Sequence, residues 1–400
     1  MGFLADRVQR IKASPTSMAA SRIKELRAEG RGIIGLTTGE PDFDTPAHIV
    51  EAAYRSMKSG QTRYTQVDGT PELKRAIIEK FKRENELTYT PDQILVGTGG
   101  KQIVYNALAA TVQRNDEVII PAPCWVSYPD MTLLNGGTPV HVICSSSQGY
   151  KLQPDALEAA ITPRTKWLLL NSPCNPTGAA YSRSELRALG EVLLRHPHVW
   201  VMSDDIYEHL VYDGFQFSTV AQVVPELFQR TLTVNGVSKA FAMTGWRIGY
   251  AGAPRDLIKA MTKLQSQSTS CASAIGQAAA LAALTGPMTF LDEWRAQYTL
   301  RRDTVLARFN QMPGLRCTKP EGAFYLYPEC ADLIGKRTAT GQVIDDDSAL
   351  VLHLLDSQGV GVVQGTAFGL GPAFRVSFAT SLANLNEACD RIGRALAALT

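Results

Sequence analysis

Lys239 is the residue whose surroundings point most directly to chemistry. It follows the apolar run TLTVNGV (231–237), and small and aromatic residues come after it. A lysine at the exit of a buried strand loses part of its hydration, which lowers its pKa and makes the neutral, nucleophilic amine accessible. Such an amine can form a Schiff base with a carbonyl group. Taken alone, a lysine is far more often an exposed residue of a surface loop, and only its context favours a reactive role for Lys239.

Other reactive side chains follow other apolar runs of the chain. The runs EVIIPAP, TKWLLLN, HVWVMSD, TLTVNGV and IGYAGAP are separated mainly by helix-forming segments, a pattern typical of parallel βαβ units whose sheet is covered on both faces. Ligands of such sheets bind at the carboxyl ends of the strands. The residues that follow apolar runs in this way are therefore predicted to share one site: Trp125, Asn175, Asp204, Tyr207 and Lys239.

A glycine turn lies between the apolar run ILVG (94–97) and a helix-forming segment. Gly99 and Gly100 let the backbone approach a ligand closely at a helix N-terminus, where free N–H groups favour a phosphate. The turn matches neither nucleotide motif, because Gln102 stands where G-x-G-x-x-G needs Gly and where a P-loop needs Ser or Thr. By itself the turn is a weak indication of phosphate binding.

In combination, these segments resemble the fold-type I aminotransferases that use pyridoxal phosphate, particularly the bacterial aspartate and prephenate branch of class I. The resemblance covers essentially the whole chain. It rests on motifs in family order, namely GEPDF, GTGGKQ, CWVSYPDM, NSPCNPTG, SDDIYEHL, SKAFAMTGWRIGY and FRVSFAT. It implies an α/β fold with a large domain (48–305), whose mostly parallel sheet is covered by helices. A smaller α/β domain would be formed by 1–47, with its N-terminal segment, and by 306–400.

The resemblance also implies a site for pyridoxal phosphate. Lys239 would carry the cofactor as a Schiff base and, once displaced by the amino acid, move the α-proton. Asp204 would keep the pyridine nitrogen protonated, while Tyr207 and Asn175 would bind the 3-oxygen. Asp205 competes with Asp204 for the first role. The D-x-x-Y pattern favours Asp204, and Asp205 stands where the family usually has Glu.

The remaining cofactor contacts are implied in the same way. Trp125 would stack on the ring, although a buried Trp is more often a core residue. In a homodimer, Tyr64 would reach across the subunit boundary and contact the cofactor phosphate bound to the partner subunit, although a loop tyrosine is more often a packing residue. The phosphate would be held by Gly99, Gly100, Lys101, Ser238 and Arg247.

The resemblance assigns substrate binding to residues that are spread along the chain. Arg375 would grip the α-carboxylate, because its planar fork makes two parallel hydrogen bonds that lysine cannot make. The Gly39 backbone, Trp125 and Asn175 would also contact the substrate. Lys101 and Lys12 match lysines that bind the distal carboxylate of the substrate in this family. The alternative is that both lysines lie on the phosphate side or face solvent.

We therefore predict a ping-pong aminotransferase with aspartate or glutamate as donor and 2-oxoglutarate or oxaloacetate as acceptor. Prephenate is a further candidate acceptor. Two alternatives stay open within the fold and two beyond it. The protein could act on neutral or aromatic amino acids, or be a lyase, racemase or decarboxylase. A nicotinamide oxidoreductase would need a G-x-G-x-x-G motif, and an effector-sensing regulator would need a helix-turn-helix before the fold. The sequence shows neither.

Composition argues against several other classes of protein. The 400 residues are 45% hydrophobic and carry a net charge of +2 without basic runs, which disfavours a nucleic-acid partner. The seven cysteines form no C-x-x-C pair, so neither a disulfide framework nor a zinc site is expected. No apolar run has the length of a membrane span, and the charged start MGFLADRVQRIK does not fit a signal peptide. We expect a cytoplasmic protein without a metal or membrane partner.

Overall fold

The computed structural model describes residues 3–400. Its strands are β1 (Ile34–Gly35), β2 (Ile94–Gly97), β3 (Glu117–Ala122), β4 (Thr138–Ile143), β5 (Thr165–Asn171), β6 (Trp200–Asp204), β7 (Thr231–Gly236), β8 (Gly249–Gly252), β9 (Tyr325–Leu326), β10 (Val360–Gly361), β11 (Val363–Gln364) and β12 (Phe374–Ser377). Its helices are α1 (Asp6–Gln9), α2 (Pro15–Ala28), α3 (Ala47–Lys58), α4 (Pro71–Asn85), α5 (Gly100–Thr111), α6 (Ser127–Leu134), α7 (Pro154–Ala160), α8 (Arg183–Arg195), α9 (Val220–Val223), α10 (Arg255–Ser266), α11 (Ala274–Thr285), α12 (Phe290–Phe309), α13 (Asp347–Gln358) and α14 (Leu382–Ala397).

A seven-stranded sheet in the order β2-β8-β7-β6-β5-β3-β4 forms the centre of the molecule. Strands β4, β3, β5, β6 and β7 pair in parallel, as the alternation of apolar runs and helices predicts. The expectation that IGYAGAP continues this parallel series is wrong, because β8 runs antiparallel to both β7 and β2. The connection from β7 to β8 contains only a three-residue 3-10 turn and no crossover helix, so the chain turns back on itself.

The central strands are apolar on both faces because helices cover both. On one face, Leu168 and Val201 pack with the buried residues of α7 and α8. On the other face, Leu169 and Met202 pack with α5 and α10. Neighbouring side chains thus serve opposite cores, as the two-residue period of a strand requires. This packing fixes the sheet edge at which the loops carrying the polar side chains leave the strands.

The C-terminal part of the chain forms two smaller sheets. Strands β11, β12 and β9 pair antiparallel in that order, and β1 pairs in parallel with β10. The N-terminal strand is therefore joined to elements near the C-terminus. The 20-residue helix α12 leads to these elements. The division of the chain into domains at residues 48 and 305 remains a prediction.

Helix α11 is rich in alanine and packs against α3 and α4. Ala279, Ala280 and Ala283 are fully buried, which agrees with a helix that uses small residues for close packing. Within residues 3–400, no single helix combines the length and the apolar character needed to cross a bilayer. The bent pair α11 and α12, which meet at 87°, satisfies these two criteria only when the helices are taken together.

Candidate active site

A cavity of about 590 Å³ opens at the carboxyl ends of the parallel strands. The residues that the sequence assigned to one site come together on its wall, although they are spread over most of the chain. They are Gly39, Gly100, Lys101, Trp125, Asn175, Asp204, Tyr207, Ser238, Lys239, Arg247 and Arg375. Gly99 lies directly behind this wall, against Arg247. Tyr64 and Lys12 lie elsewhere and are described below.

Lys239 follows β7 by three residues and is partly buried, as the apolar run before it predicts. Its Nζ donates a hydrogen bond of 2.5 Å to the carbonyl of Gly39 and lies 5.7 Å from the centre of the Tyr207 ring. Burial lowers the pKa of Lys239 to about 8, and the negative charge of Glu40 partly opposes that shift. A substantial fraction of the amine is therefore neutral near physiological pH, as a nucleophile or proton carrier requires.

Asp204 ends β6 and directs a buried carboxylate into the cavity. Burial raises the pKa of Asp204, while a 2.6 Å hydrogen bond donated by the Tyr128 hydroxyl to Oδ2 opposes the rise. Asp205 is not on the cavity wall. It accepts a 2.7 Å hydrogen bond from Ser203 Oγ, and burial raises its pKa to about 7. Successive side chains of extended backbone point to opposite faces, so only one of the two aspartates reaches the site.

An anion site lies where α5 begins. Gly99 has φ +82°, and a Cβ at this position would lie 2.4 Å from a guanidinium nitrogen of Arg247. A Cβ on Gly249 would lie 2.2 Å from the backbone nitrogen of Gly100, so both close approaches depend on glycine. The first N–H groups of α5 have no partner within the helix and point outward with the positive end of its dipole. Together with Ser238 and Arg247 they form a site for an anion such as phosphate.

Arg375 supplies a second anion-binding group from β12. It is buried, and its Nη1 and Nη2 donate to Asn175 Oδ1 at 2.9 Å and to the carbonyl of Thr37 at 2.5 Å. Its guanidinium lies 4.6 Å from the ring centre of Tyr325. Among the described residues, its Nε has no hydrogen-bond partner. A buried guanidinium with an unused donor is suited to a carboxylate that enters the cavity.

Lys101 and Trp125 lie next to each other on the cavity wall. The Lys101 Nζ lies 4.7 Å from the centre of the Trp125 ring, whose edge packs against Tyr128 in a T-shaped pair. Partial burial and the nearby charge of Arg247 lower the pKa of Lys101. The cavity favours anionic ligands, because its wall carries four basic side chains and only two carboxylates. The basic side chains are Lys101, Lys239, Arg247 and Arg375, and the carboxylates are Glu40 and Asp204.

Two predicted site residues lie away from the cavity. Tyr64 is 91% exposed. Lys12 is also exposed and lies beside Asp130. Burial raises the pKa of Asp130, and the backbone N–H and the positive charge of Lys12 oppose that rise. The roles given to them from the sequence remain predictions.

The sequence model described as aminotransferase class I and II matches residues 31–392. The chain belongs to the aminotransferase class I and II family. This confirms the family and the enzyme class predicted from the motifs, and it disfavours an oxidoreductase or a regulator. Aminotransferases act on amino acids and 2-oxo acids.

Individual members of the aminotransferase family are close to this chain in sequence and structure. The aspartate/prephenate aminotransferase of Cereibacter sphaeroides is 60% identical over 392 residues, which cover 98% of each chain. The crystal structure of the aspartate aminotransferase from Rhizobium meliloti superposes with a TM-score of 0.97 at 54% identity and covers 100% of both chains. The Thermus thermophilus aspartate aminotransferase, solved with maleate, gives a TM-score of 0.92 at 43% identity and covers 99% of this chain and 100% of its own. The predicted fold class is confirmed.

Sequence reasoning missed several groups on the wall of this aminotransferase cavity. Tyr128 contacts Asp204, and Tyr325 contacts both Tyr207 and Arg375. The alternation in AFYLYP (323–328) predicts a strand, but it does not say which tyrosine faces the cavity. Thr16, Ser17, Glu40, Asn171 and Thr244 also line the wall.

Proposed function

We propose that this aminotransferase moves the amino group of an acidic amino acid to a 2-oxo acid by a ping-pong mechanism. Aspartate or glutamate is the donor, 2-oxoglutarate or oxaloacetate is the acceptor, and prephenate is a further acceptor. The observation that carries the proposal is the position of Lys239 in a cavity lined by three other cations. The substrates in the names of the Cereibacter and Rhizobium relatives support the same assignment.

We further propose that the enzyme works with pyridoxal phosphate, which is the cofactor of this family. When bound, the cofactor supplies an electron sink for the pair left behind by the α-proton. The side chains of the cavity fit its phosphate and its ring nitrogen. The anion site of α5, Ser238 and Arg247 suits the phosphate, and the buried Asp204 suits a protonated ring nitrogen.

The residues around the ring have separate tasks in this proposal. Asp204 holds a proton on the ring nitrogen, and its hydrogen bond from Tyr128 favours the ionised carboxyl that this task needs. Asn175 and Tyr207 direct hydrogen bonds to the phenolic oxygen. Trp125 packs against the ring face and excludes water from it.

Lys239 moves the proton. Its pKa of about 8 lets Nζ both accept and release a proton near neutral pH. The carbonyl of Gly39, 2.5 Å away, orients the amine toward the cavity. Because Tyr207 and Phe324 lie within about 6 Å of Nζ, the proton is transferred beside an aromatic wall that limits access of water.

Two basic groups at separate positions would bind the two carboxylates of the substrate. Arg375 binds the α-carboxylate through the donors of its fork. Lys101 binds the distal carboxylate above Trp125, with Lys12 as a second ammonium. The Thermus thermophilus relative was solved with maleate, a dicarboxylate, which supports a site with two anion-binding ends.

We also propose that the enzyme is a cytoplasmic homodimer. Each subunit would have two domains, a large one formed by 48–305 and a small one formed by 1–47 and 306–400. Helix α3 presents Val50, Tyr54 and Met57 to solvent at helical spacing, and Tyr64 is almost fully exposed nearby in sequence. Exposed apolar stripes of this kind are typical of surfaces that a second copy covers. In the dimer, Tyr64 would reach the phosphate of the partner subunit. The seven cysteines are all free, which suits a reducing compartment.

A substrate panel tests the proposed function. The purified enzyme loaded with pyridoxal phosphate is given aspartate with 2-oxoglutarate, glutamate with oxaloacetate, and alanine or phenylalanine with either acceptor, and both products are quantified. We expect equimolar transfer with the highest kcat/KM for aspartate and glutamate. Products of elimination or decarboxylation without transfer would contradict the proposal, and so would a preference for neutral donors.

A further inference from the structure

Tyr325 contacts two buried polar groups of the site at once. Its hydroxyl lies 2.8 Å from the hydroxyl of Tyr207, and its ring centre lies 4.6 Å from the guanidinium of Arg375. All three side chains are buried. Tyr325 ends on the cavity wall, although it belongs to β9 and Tyr207 follows β6.

The same hydroxyl is close to the residue that orients the lysine. A Cβ on Gly39 would lie 3.1 Å from the Tyr325 oxygen, so Tyr325 packs against the segment whose carbonyl accepts the hydrogen bond from Lys239. Tyr325 therefore touches the phenol, the arginine and the backbone next to the lysine amine. No other assignment made above gives it a role.

The hydrogen bond between the two phenols has a direction. Burial raises the pKa of Tyr325 and of Tyr207, so both are neutral and each carries one hydrogen at physiological pH. One hydrogen lies between the two oxygens, and the hydrogen of the accepting phenol remains free for another partner. The positive charge of Arg375 opposes the rise in the pKa of both phenols, but the guanidinium lies on the face of Tyr325, which makes Tyr325 the better donor. This favours donation from Tyr325 to Tyr207 and frees the Tyr207 hydrogen.

We propose that Tyr325 is a positioning residue, which donates to Tyr207 and so directs the Tyr207 hydrogen toward the phenolic oxygen of the cofactor. The inference rests on the proposed function and adds a residue to it. The charged and titratable groups that face the two phenols are Arg375, Glu40, Asp204, Lys239 and Tyr298. Each of these is unchanged by substitution of Tyr325 with phenylalanine, which keeps the ring over Arg375 and removes only the hydroxyl.

The test is a pH titration of the visible absorbance of the enzyme loaded with pyridoxal phosphate. Without the Tyr325 hydroxyl, Tyr207 binds the cofactor oxygen less well, so that oxygen becomes more basic and retains its shared proton to higher pH. Loss of one hydrogen bond corresponds to an upward shift of the midpoint by about half to one pH unit in Tyr325→Phe. We expect kcat with aspartate to fall about tenfold and KM to change less than about twofold, because the stack on Arg375 is kept.

Tyr327→Phe is the matched control. It removes a buried hydroxyl that donates to the Gly365 carbonyl at 3.0 Å, two residues along the same segment and off the cavity wall. Its titration midpoint should equal that of the wild type. Thermal unfolding of each apoenzyme shows whether a variant is folded.

A double-mutant cycle with Tyr207→Phe decides the route. If Tyr325 acts through Tyr207, adding Tyr325→Phe to Tyr207→Phe moves the midpoint no further. Additive shifts, or an unshifted midpoint in Tyr325→Phe, would overturn the inference. A wild-type enzyme that shows neither a visible band nor amino transfer would instead overturn the proposed function, and the two failures are thus distinct.

Discussion

The hydroxyl of Tyr128 donates a 2.6 Å hydrogen bond to Oδ2 of Asp204, and both side chains are buried at the back of the cavity. Burial raises the pKa of Asp204, so a carboxyl that must be ionised to serve a protonated ring nitrogen is held in surroundings that favour its neutral form. The phenol opposes this effect. Tyr128 thus favours the ionised form of Asp204, together with the backbone N–H of Ile206 and the charge of Lys239, although Tyr128 and Asp204 are far apart in sequence.

Tyr128→Phe is therefore expected to weaken cofactor binding while the fold is retained. A hydrogen bond to a charged group contributes about 1.5–3 kcal/mol, which corresponds to a rise in the Kd for pyridoxal phosphate of roughly tenfold or more. Equilibrium titration of the apoenzyme followed by absorbance measures it. Tyr181→Phe is the control, because it removes a buried phenol that binds the Leu152 backbone at 2.7 Å, away from the cavity. An unchanged Kd in Tyr128→Phe would show that Asp204 does not need this hydrogen bond.

Lys239→Ala separates covalent attachment of the cofactor from binding. Borohydride treatment of the loaded wild type should fix the cofactor on Lys239, as read by peptide mass spectrometry, whereas the variant should bind cofactor through the anion site without a covalent adduct. Turnover should fall by roughly 10²–10⁴ or more, because the proton carrier is lost. Lys101→Ala should still give the adduct at residue 239. Trapping on a different lysine in the wild type would contradict the assignment.

The site could be assembled from the sequence where its residues follow apolar strands. Trp125, Asn175, Asp204 and Lys239 could be grouped because the carboxyl ends of parallel strands share one edge. The direction of β8 could not be predicted, since its apolar run looks like those of the parallel strands and only the short connection reverses it. The hydrogen bond from Tyr128 to Asp204 depends on how helix α6, which packs against β3 and β4, places Tyr128 beside the end of β6, and a sequence pattern does not contain such tertiary distances.

The raised pKa of Asp205 predicts how the stability of the apoenzyme depends on pH, independently of catalysis. Its pKa rises from the ordinary value near 4 to about 7 in the folded protein, so between these values the native state binds more protons than the unfolded state. Its contribution therefore makes the apoenzyme less stable as pH rises from about 4 to about 7, with a total on the order of 4 kcal/mol.

Asp205→Asn should remove this slope, because the amide keeps an acceptor for Ser203 Oγ but does not ionise. We expect the variant to gain stability relative to the wild type as pH increases to 7, as measured by urea denaturation of the apoenzymes at a series of pH values. Aminotransferase activity should be largely retained, whereas Asp204→Ala should abolish it. A difference between Asp205→Asn and wild type that does not vary with pH would show that folding does not change the pKa of Asp205.

Substrate choice is tested at Lys101, whose ammonium lies on the cavity wall above Trp125. If it binds the distal carboxylate, Lys101→Ala removes a charge-assisted hydrogen bond of about 1.5–3 kcal/mol, or roughly one to two decades of kcat/KM for aspartate. Alanine and phenylalanine carry no such carboxylate, so their kcat/KM should change much less. Steady-state kinetics with all three donors measures the difference.

Two further variants make the test of Lys101 specific. Lys263→Ala removes an exposed lysine on α10 that lies off the cavity wall, and it should alter none of the three values. Lys12→Ala reports on the second ammonium and should also reduce kcat/KM for aspartate selectively. Because Lys101 also lies near Arg247, a role at the phosphate would instead weaken cofactor binding and reduce turnover of all donors alike. Equal losses for acidic and neutral donors would leave an aminotransferase without a basis for dicarboxylate specificity at Lys101.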